Sequence, residues 1–196
     1  MTARLRRVPQ LVLGLVLFGF GLGFIVQGGY GQGPWTVFHD GLADHTPLSI
    51  GTATIVTGVG LLVATLALGV RIGLGTVANV AIIGPSTDLA IWLIETPDAT
   101  AARAALTIAG PLVTALGSGL YLGVRLGPGP RDGLMTGLHA RGMTIRRARF
   151  LIEATAFAVG VVLGGTVGWG TVWWLLAIGP AVQWMLPPFD RGELAR

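Results

Sequence analysis

Apolar stretches long enough to cross a bilayer recur six times along the chain, where about 20 mainly apolar residues are needed for each crossing. The first runs from about Val8 to Gly28, inside an uncharged run that continues to His39. The second lies within the uncharged segment Thr46 to Val70, and the third covers about Gly73 to Ile94 with one charge, Asp88. The fourth is Ala104 to Val124, again uncharged. The fifth runs from about Arg147 to Leu163 with Glu153 near its start, and the sixth from about Trp169 to Leu186, closed by Pro187 and Pro188. The link Gly164-Gly165-Thr166-Val167-Gly168 is so apolar that it is expected to turn at the membrane surface. The pattern predicts an all-α polytopic membrane protein with a single transmembrane domain over residues 1–196.

Composition agrees with this and narrows the class. Of 196 residues, 52% are hydrophobic and 11% charged, against about 25% charged in a soluble domain. Mean hydropathy is +0.72 and the pI is about 11.0. These values exclude a disordered chain, a soluble enzyme domain and a nucleic-acid binder. No cysteine is present, which removes disulfides, thiolate metal sites and cysteine nucleophiles. The 32 glycines are about twice the average share. Lysine is absent while Ala, Gly, Val and Arg abound, the bias of a genome rich in G and C, so glycine positions count as evidence and bulk glycine content does not.

The arginines orient the spans, since cytoplasmic loops carry an excess of positive charge. Arg4, Arg6, Arg7, Arg71, Arg125, Arg131, Arg141, Arg146, Arg147, Arg149, Arg191 and Arg196 all fall on one side of a six-span arrangement. Arg103 alone lies opposite, with Asp40, Asp44, Glu95 and Asp98. Both termini are therefore expected in the cytoplasm of a bacterial cell, with the chain in the plasma membrane. Span one is too long for a cleaved signal peptide and no A-x-A site follows it.

Glycines also recur in register. At a shift of 96, Gly14, Gly21, Gly23, Gly31, Gly33 and Gly41 meet Gly110, Gly117, Gly119, Gly127, Gly129 and Gly137, and Pro34 meets Pro130. At a shift of 95, Gly69, Gly73, Gly75 and Gly84 meet Gly164, Gly168, Gly170 and Gly179, and Thr76 and Pro85 meet Thr171 and Pro180. Repeat 1 covers about 8–95 and repeat 2 about 104–187. Three spans per copy invert the second copy, so the reading is a 3+3 inverted-topology repeat, an architecture whose sites lie at the repeat interface.

Candidate chemistry follows the repeat. Each Gly-x-Gly-Pro loop places proline at the first position of a helix, predicting short helices after Gly33-Pro34 and Gly129-Pro130. At about ten residues each is too short to span. Trp35, Phe38 and Leu42 share a face away from Thr36 and Asp40, which favours a helix lying flat on the interface over a re-entrant one whose amide ends hold an anion. Gly33, Pro34, Trp35, His39, Asp40, Gly129, Pro130, Arg131 and Asp132 are the loop candidates. Gly84-Pro85 and Gly179-Pro180 are expected to interrupt spans three and six, as a paired broken-helix site or as packing kinks. Asp88, one turn beyond Pro85 with Ser86 between, is an intramembrane carboxylate and hence a candidate for binding a proton, a cation or a cationic substrate; the alternative is an acid stabilising a helix start. Its mate is Gln183. Glu153 is expected to pair with Arg149 at i,i+4. His39, His45 and His139 read as loop residues, and no metal cluster, catalytic triad, Walker loop or dinucleotide fingerprint occurs.

The duplicated Gly-x-Gly-Pro loop, the segment Pro130-Arg131-Asp132-Gly133-Leu134-Met135-Thr136-Gly137-Leu138 and the Gly-x-Gly-Thr…Ile-Gly-Pro endings resemble the YczE branch of the bacterial YczE/YyaS/YitT membrane proteins, over roughly Val8 to Leu186. The resemblance implies a bacterial plasma-membrane protein and supplies no catalytic residues. The functional expectation is a small secondary transporter or exporter of a small organic molecule, with Asp88, Gln183, Ser86 and the two Gly-Pro pairs lining a site between the repeats. The alternative is an accessory protein acting through its arginine-rich cytoplasmic loop. An intramembrane enzyme ranks below both, for want of convergent acid, base and nucleophile. No cofactor or metal is expected; the partners are the lipid bilayer, a small-molecule substrate and, at most, a second copy in a homodimer.

Overall fold

The computed structural model describes residues 7–192, so Arg4, Arg6 and Arg196 lie outside the described residues. Eight α-helices follow in order: α1 Val8–Gly28, α2 Pro34–His45, α3 Ile50–Ala67, α4 Leu74–Leu93, α5 Thr100–Gly123, α6 Pro130–His139, α7 Ile145–Val162 and α8 Trp169–Met185. A 3-10 turn, Pro187–Phe189, ends the series. Among the described residues there is no strand. Local signals set the boundaries. Ser49 accepts from Thr52 N at 3.0 Å and Thr144 from Arg147 N at 3.3 Å, each capping the helix it precedes. Gly73 and Gly168 each donate their N–H to the hydroxyl of the threonine three residues on, both at 3.3 Å.

Helices α1, α3, α4 and α5 are long and apolar enough to cross a membrane. Helix α7, which carries Arg146, Arg147, Arg149 and Glu153, is the least apolar of the six long helices, and α8, with 17 residues, is the shortest. The outer faces are apolar, with Val63, Leu66, Val77, Phe150 and Leu176 exposed, and Trp92 and Trp184 project near helix ends. Such a surface meets lipid, with tryptophans at interfacial depth.

Helix α1 is the axis of the bundle, antiparallel to α5 and parallel to α4. Glycine sets the spacing, because small residues let helix backbones approach where lipid offers no hydrophobic drive for association. A Cβ at Gly14 would lie 2.6 Å from Tyr121 N and 2.8 Å from Gly117 O; one at Gly117 would lie 2.6 Å from Gly14 O. Gly21 and Gly110 make the corresponding crossing further along, and Gly19 packs over Ser86 and Ile83 of α4. Leu11, Leu15, Leu22, Ile83 and Tyr121 fill the core around these crossings.

The short helices do not lie flat. In α2, residues Pro34 to Val37, His39 and Gly41 are buried, which covers every face of the helix, while Asp44 and His45 at its far end are exposed. Phe38 packs at Gly160 and Gly41 at Leu163, so α2 runs parallel to α7; His39 meets Thr54, so it runs antiparallel to α3. The segment Gly29–Gly33 therefore descends into the bundle, and α2 climbs back from the level of Phe18, the midpoint of α1. Helix α6 does the same from the opposite end, its Gly133 at Thr65 and Gly137 at Leu68. The amphipathic face that favoured an interfacial helix is real, but tertiary packing covers its polar side too.

The descending loops are stitched into the other half of the chain. Gly170 N donates to Tyr30 O and Gly75 N to Leu126 O, both at 2.8 Å. Gly31 (φ 105°) and Gly127 (φ 131°) adopt backbone that only glycine takes readily. Helices α4 and α8 run unbroken through Pro85 and Pro180, which corrects the expected interruption. Both prolines are exposed, so the carbonyl that each releases is on the helix exterior, and Gly84 serves the crossing of α3 at Gly51. At the end where α1 begins, Asp190 takes a bidentate ion pair from Arg125 at 2.7 and 2.9 Å, whose hydrogen bonds hold its carboxyl below the usual range.

The crossings predict a sharp contrast between glycines. Gly14→Leu forces backbone apart and is expected to cost at least about 1–3 kcal/mol, whereas Gly60, with nothing within 4 Å of an added Cβ, tolerates alanine with a gain of up to about 1 kcal/mol. Thermal denaturation of the purified variants in detergent checks both signs.

Candidate functional site

The N-terminal ends of α2 and α6 meet inside the bundle. The Arg131 guanidinium carbon lies 4.4 Å from the Trp35 ring centroid, a cation–π contact. Beside it is a cavity of about 160 Å3, lined by polar groups from α2 to α7, among them His39, Thr54, Asn79, Tyr121, Arg131, Asp132, Arg149 and Glu153. The elements bring these together for local reasons. Proline after glycine starts each half-helix at depth, so the residues just beyond it, Trp35 and Arg131, face each other across the bundle centre. His39 follows one turn later, and α3, packed on α2, supplies Thr54.

His39 is 1% exposed. Its Nδ1 is 3.0 Å from Thr54 Oγ1, and that hydroxyl donates to Ile50 O at 2.9 Å. A hydroxyl has one proton, so Nδ1–H donates to Thr54, and Nε2 keeps a lone pair with no partner among the described residues. The Trp35 indole N–H is likewise buried without a partner. Arg131 makes no hydrogen bond among the described residues, with Glu153 and Asp132 as the carboxylates in its field. Glu153 forms no ion pair with Arg149, contrary to the i,i+4 expectation; among the described residues the one ion pair is Arg125–Asp190. Both Glu153 and Arg149 line the cavity instead. Unsatisfied donors and acceptors around a void are the chemistry of a binding site for a polar ligand.

A second, open cleft of about 630 Å3 adjoins this cavity and shares Phe18, Arg131, Arg149 and Glu153 with it. It lies between α7 and α8, where Phe157, Trp174 and Ile178 are apolar walls and Gly179 lies at its edge.

The other candidates fall elsewhere. Asp88 faces the start of α3: one carboxylate oxygen accepts from Gly51 N at 2.8 Å and the other from Ser49 Oγ at 2.5 Å. This is an acid at a helix N-terminus, and it ties α3 to α4. Ser86 is buried against Gly19, Gly84 against Gly51, and Pro85, Pro180 and Gln183 are exposed on helix exteriors. Asp40 accepts from Gln32 Nε2 at 3.0 Å and from Thr166 N at 2.8 Å, bracing the descending loop. Gly33 abuts the Trp174 ring; Gly33, Pro34 and Trp35 border the cleft, and Gly129, Pro130, Arg131 and Asp132 border the cavity. Thr54, Asn79, Tyr121, Arg149 and the cavity role of Glu153 were not anticipated. The available signal was the register itself: Trp35 and Arg131 are 96 apart, as are His39 and Met135, and both pairs contribute to these two voids.

Asp88→Ala is therefore expected to act on stability. It removes the side chain that serves the α3 N-terminus, which costs about 0.5–2 kcal/mol, and leaves ligand binding in the cavity unchanged. Denaturation midpoints of wild type and variant, each with and without a bound ligand, separate the two effects.

Two relatives match the chain over most of its length. The chain is 35% identical over 186 residues to an uncharacterized protein of Haemophilus influenzae, covering 94% of this chain and 85% of that one. It is 28% identical over 178 residues to the uncharacterized membrane protein YczE of Bacillus subtilis, covering 89% and 82%. No solved structure matches. The YczE-like resemblance read from the glycine loops thus holds, and the apolar helices make the chain a membrane protein. The match of residues 5–187 to one family model completes the assignment: the chain belongs to the family described as family of unknown function DUF6198.

Proposed function

We propose that the protein is a six-span plasma-membrane transporter or exporter of a small organic molecule, built as a 3+3 inverted repeat with its site at the repeat interface and both termini cytoplasmic. The observation that carries this reading is the contact of Trp35 with Arg131. The two occupy the same place in the two Gly-x-Gly-Pro loops, and residues near a two-fold axis meet their own mates. Other contacts pair in the same way. Gly14 against Gly117 matches Gly110 against Gly21, Gly41 at Leu163 matches Gly137 at Leu68, and the two 2.8 Å loop bonds are mates. Half-helices ending at the middle of a membrane, beside a polar void, are the elements from which inverted-repeat transporters build their sites.

In this reading α7 and α8 are the fifth and sixth spans, with Arg149 and Glu153 of α7 bordering the cavity. The accessory reading has less to stand on. Arg131 and Arg149 border the central cavity, Arg146 borders only the open cleft, and Arg141 donates to Leu68 O at 2.9 Å. Arg141, Arg146, Arg147 and Arg149 nonetheless remain exposed. Arg103, alone on the opposite side, caps α1 through Gly28 O at 3.1 Å and stacks on Tyr30.

Because the chain has no cysteine, single-cysteine labelling is direct. Asn79→Cys, in the cavity wall, is expected to react with a membrane-impermeant maleimide from the outer face in right-side-out vesicles and from the cytoplasmic face in inverted ones. Reactivity from one face only, or from neither, contradicts alternating access.

A further inference from the structure

We infer that the cleft between α7 and α8 takes an amphiphilic organic anion, a carboxylate or phosphate on an apolar body, with its charge at Arg131 and Arg149 and its body between Phe157, Trp174 and Ile178. This rests on the central cavity being the substrate site and names the class of molecule that it accepts.

The first argument is the asymmetry between the two halves. Helices α3 and α4 are sealed together: Gly51 and Gly84 bring the backbones into contact, and Asp88 bonds the start of α3. At the positions 95 residues on, Gly51 is replaced by Arg146, Asp88 by Gln183, and Gly84 by Gly179. A long cation stands where a close approach needs glycine, and the carboxylate clamp is gone. Helices α7 and α8 accordingly make no extended contact, nothing lies within 4 Å of a Cβ added to Gly179, and Arg146 lines the resulting opening. The lipid-facing side of the bundle is thus open to the central cavity in one repeat and closed in the other.

The second argument is chemical. The cleft gathers Arg131, Arg146 and Arg149 against the single carboxylate Glu153, and none of these is in an ion pair among the described residues. A cationic ligand meets like charge, and a neutral one leaves the half-buried Arg131 guanidinium without a charged partner, which is costly. An anion completes them through charge-assisted bonds to guanidinium and through the unpartnered indole N–H of Trp35, 8% exposed, which lines the same cleft. The N-terminal ends of α2 and α6 add favourable dipoles at that point. Away from these charges the cleft is lined mainly by apolar and aromatic side chains. Its volume, about 630 Å3, lies in the range of about 300–1,000 Å3 that holds a ligand of moderate size.

The test uses the full chain in phosphatidylcholine nanodiscs, with naphthoate as the probe and naphthamide as its uncharged counterpart, read by thermal stability and by quenching of tryptophan fluorescence. Naphthoate is expected to stabilise and quench, and naphthamide to do neither. Arg131→Gln should weaken naphthoate binding by roughly tenfold or more, as expected for the loss of hydrogen bonds to a charged group. Gly179→Phe, which projects into open space and so leaves the unliganded melting point intact, should abolish binding by filling the cleft. A parallel arm adds phosphatidylglycerol to the nanodiscs. Stabilisation by that lipid in wild type but not in Arg131→Gln, with naphthoate silent, supports the same site with a lipid headgroup as the source of the anion. Equal binding of naphthamide and naphthoate overturns the inference. So does wild-type affinity in both variants, or silence of both naphthoate and phosphatidylglycerol. Charge-dependent binding together with labelling of Asn79→Cys from one face only refutes transport and leaves this site standing; labelling from both faces without charge-dependent binding refutes the anion alone.

Discussion

Backbone contact between α1 and α5 is the constraint on which the rest of the structure depends. In lipid, helices gain nothing from hiding apolar side chains from water, so association comes from close packing. Gly14 and Gly21 on α1 face Gly117 and Gly110 on α5, and any Cβ at these positions would overlap the partner's backbone. The crossing fixes the two longest helices antiparallel at one spacing. Each then delivers a glycine-rich loop at opposite ends of the bundle, Gly29–Gly33 and Val124–Gly129. Those loops have backbone groups to satisfy away from water. They do so by bonding to the other half, Tyr30 O to Gly170 N and Leu126 O to Gly75 N. The half-helices that follow are thereby launched toward each other.

From that arrangement come both the cavity and its polarity. Two helix N-termini aimed at one point bring partial positive charge and unmade amide bonds into the middle of an apolar bundle. Arg131 adds a full charge there, Trp35 gives it an aromatic face, and Glu153 and Asp132 offset part of it. Groups such as these are expensive in a membrane interior and mark functional sites for that reason. Gly51, Gly84 and Asp88 close one flank of the bundle, while the flank between α7 and α8 carries the open cleft.

The long helices and the glycine register were legible from the chain alone, since both follow from one-dimensional patterns: uncharged runs and a repeated spacing. The helices α1 to α8 fall within a few residues of the expected segments. The site was only half legible. Trp35, His39, Arg131 and Asp132 were singled out with their loops, but the depth of those loops was not, because the Trp35–Phe38–Leu42 stripe reads the same for an interfacial helix and for one packed on α3 and α7. Glu153 has an arginine four residues before it, and local spacing cannot tell that both side chains turn into a cavity. Asp88 stood out as a charge in an apolar run, yet its partners Ser49 and Gly51 lie more than thirty residues away in sequence, beyond any local pattern. The Gly-Pro pairs misled for a related reason: Gly84 answers to a crossing helix, and the proline after it is carried on an exposed face without breaking α4.

Depth measurement along the two half-helices tests the central claim most directly. Single cysteines introduced from Trp35 to His45 and from Arg131 to His139 in the cysteine-free chain, spin-labelled in nanodiscs, report membrane depth through their relative accessibility to oxygen and to a water-soluble nickel chelate. The structure predicts a gradient in each helix, deepest at the proline end and reaching the aqueous boundary at His45 and at His139, on opposite faces of the membrane. Uniformly shallow accessibility along either helix would contradict it.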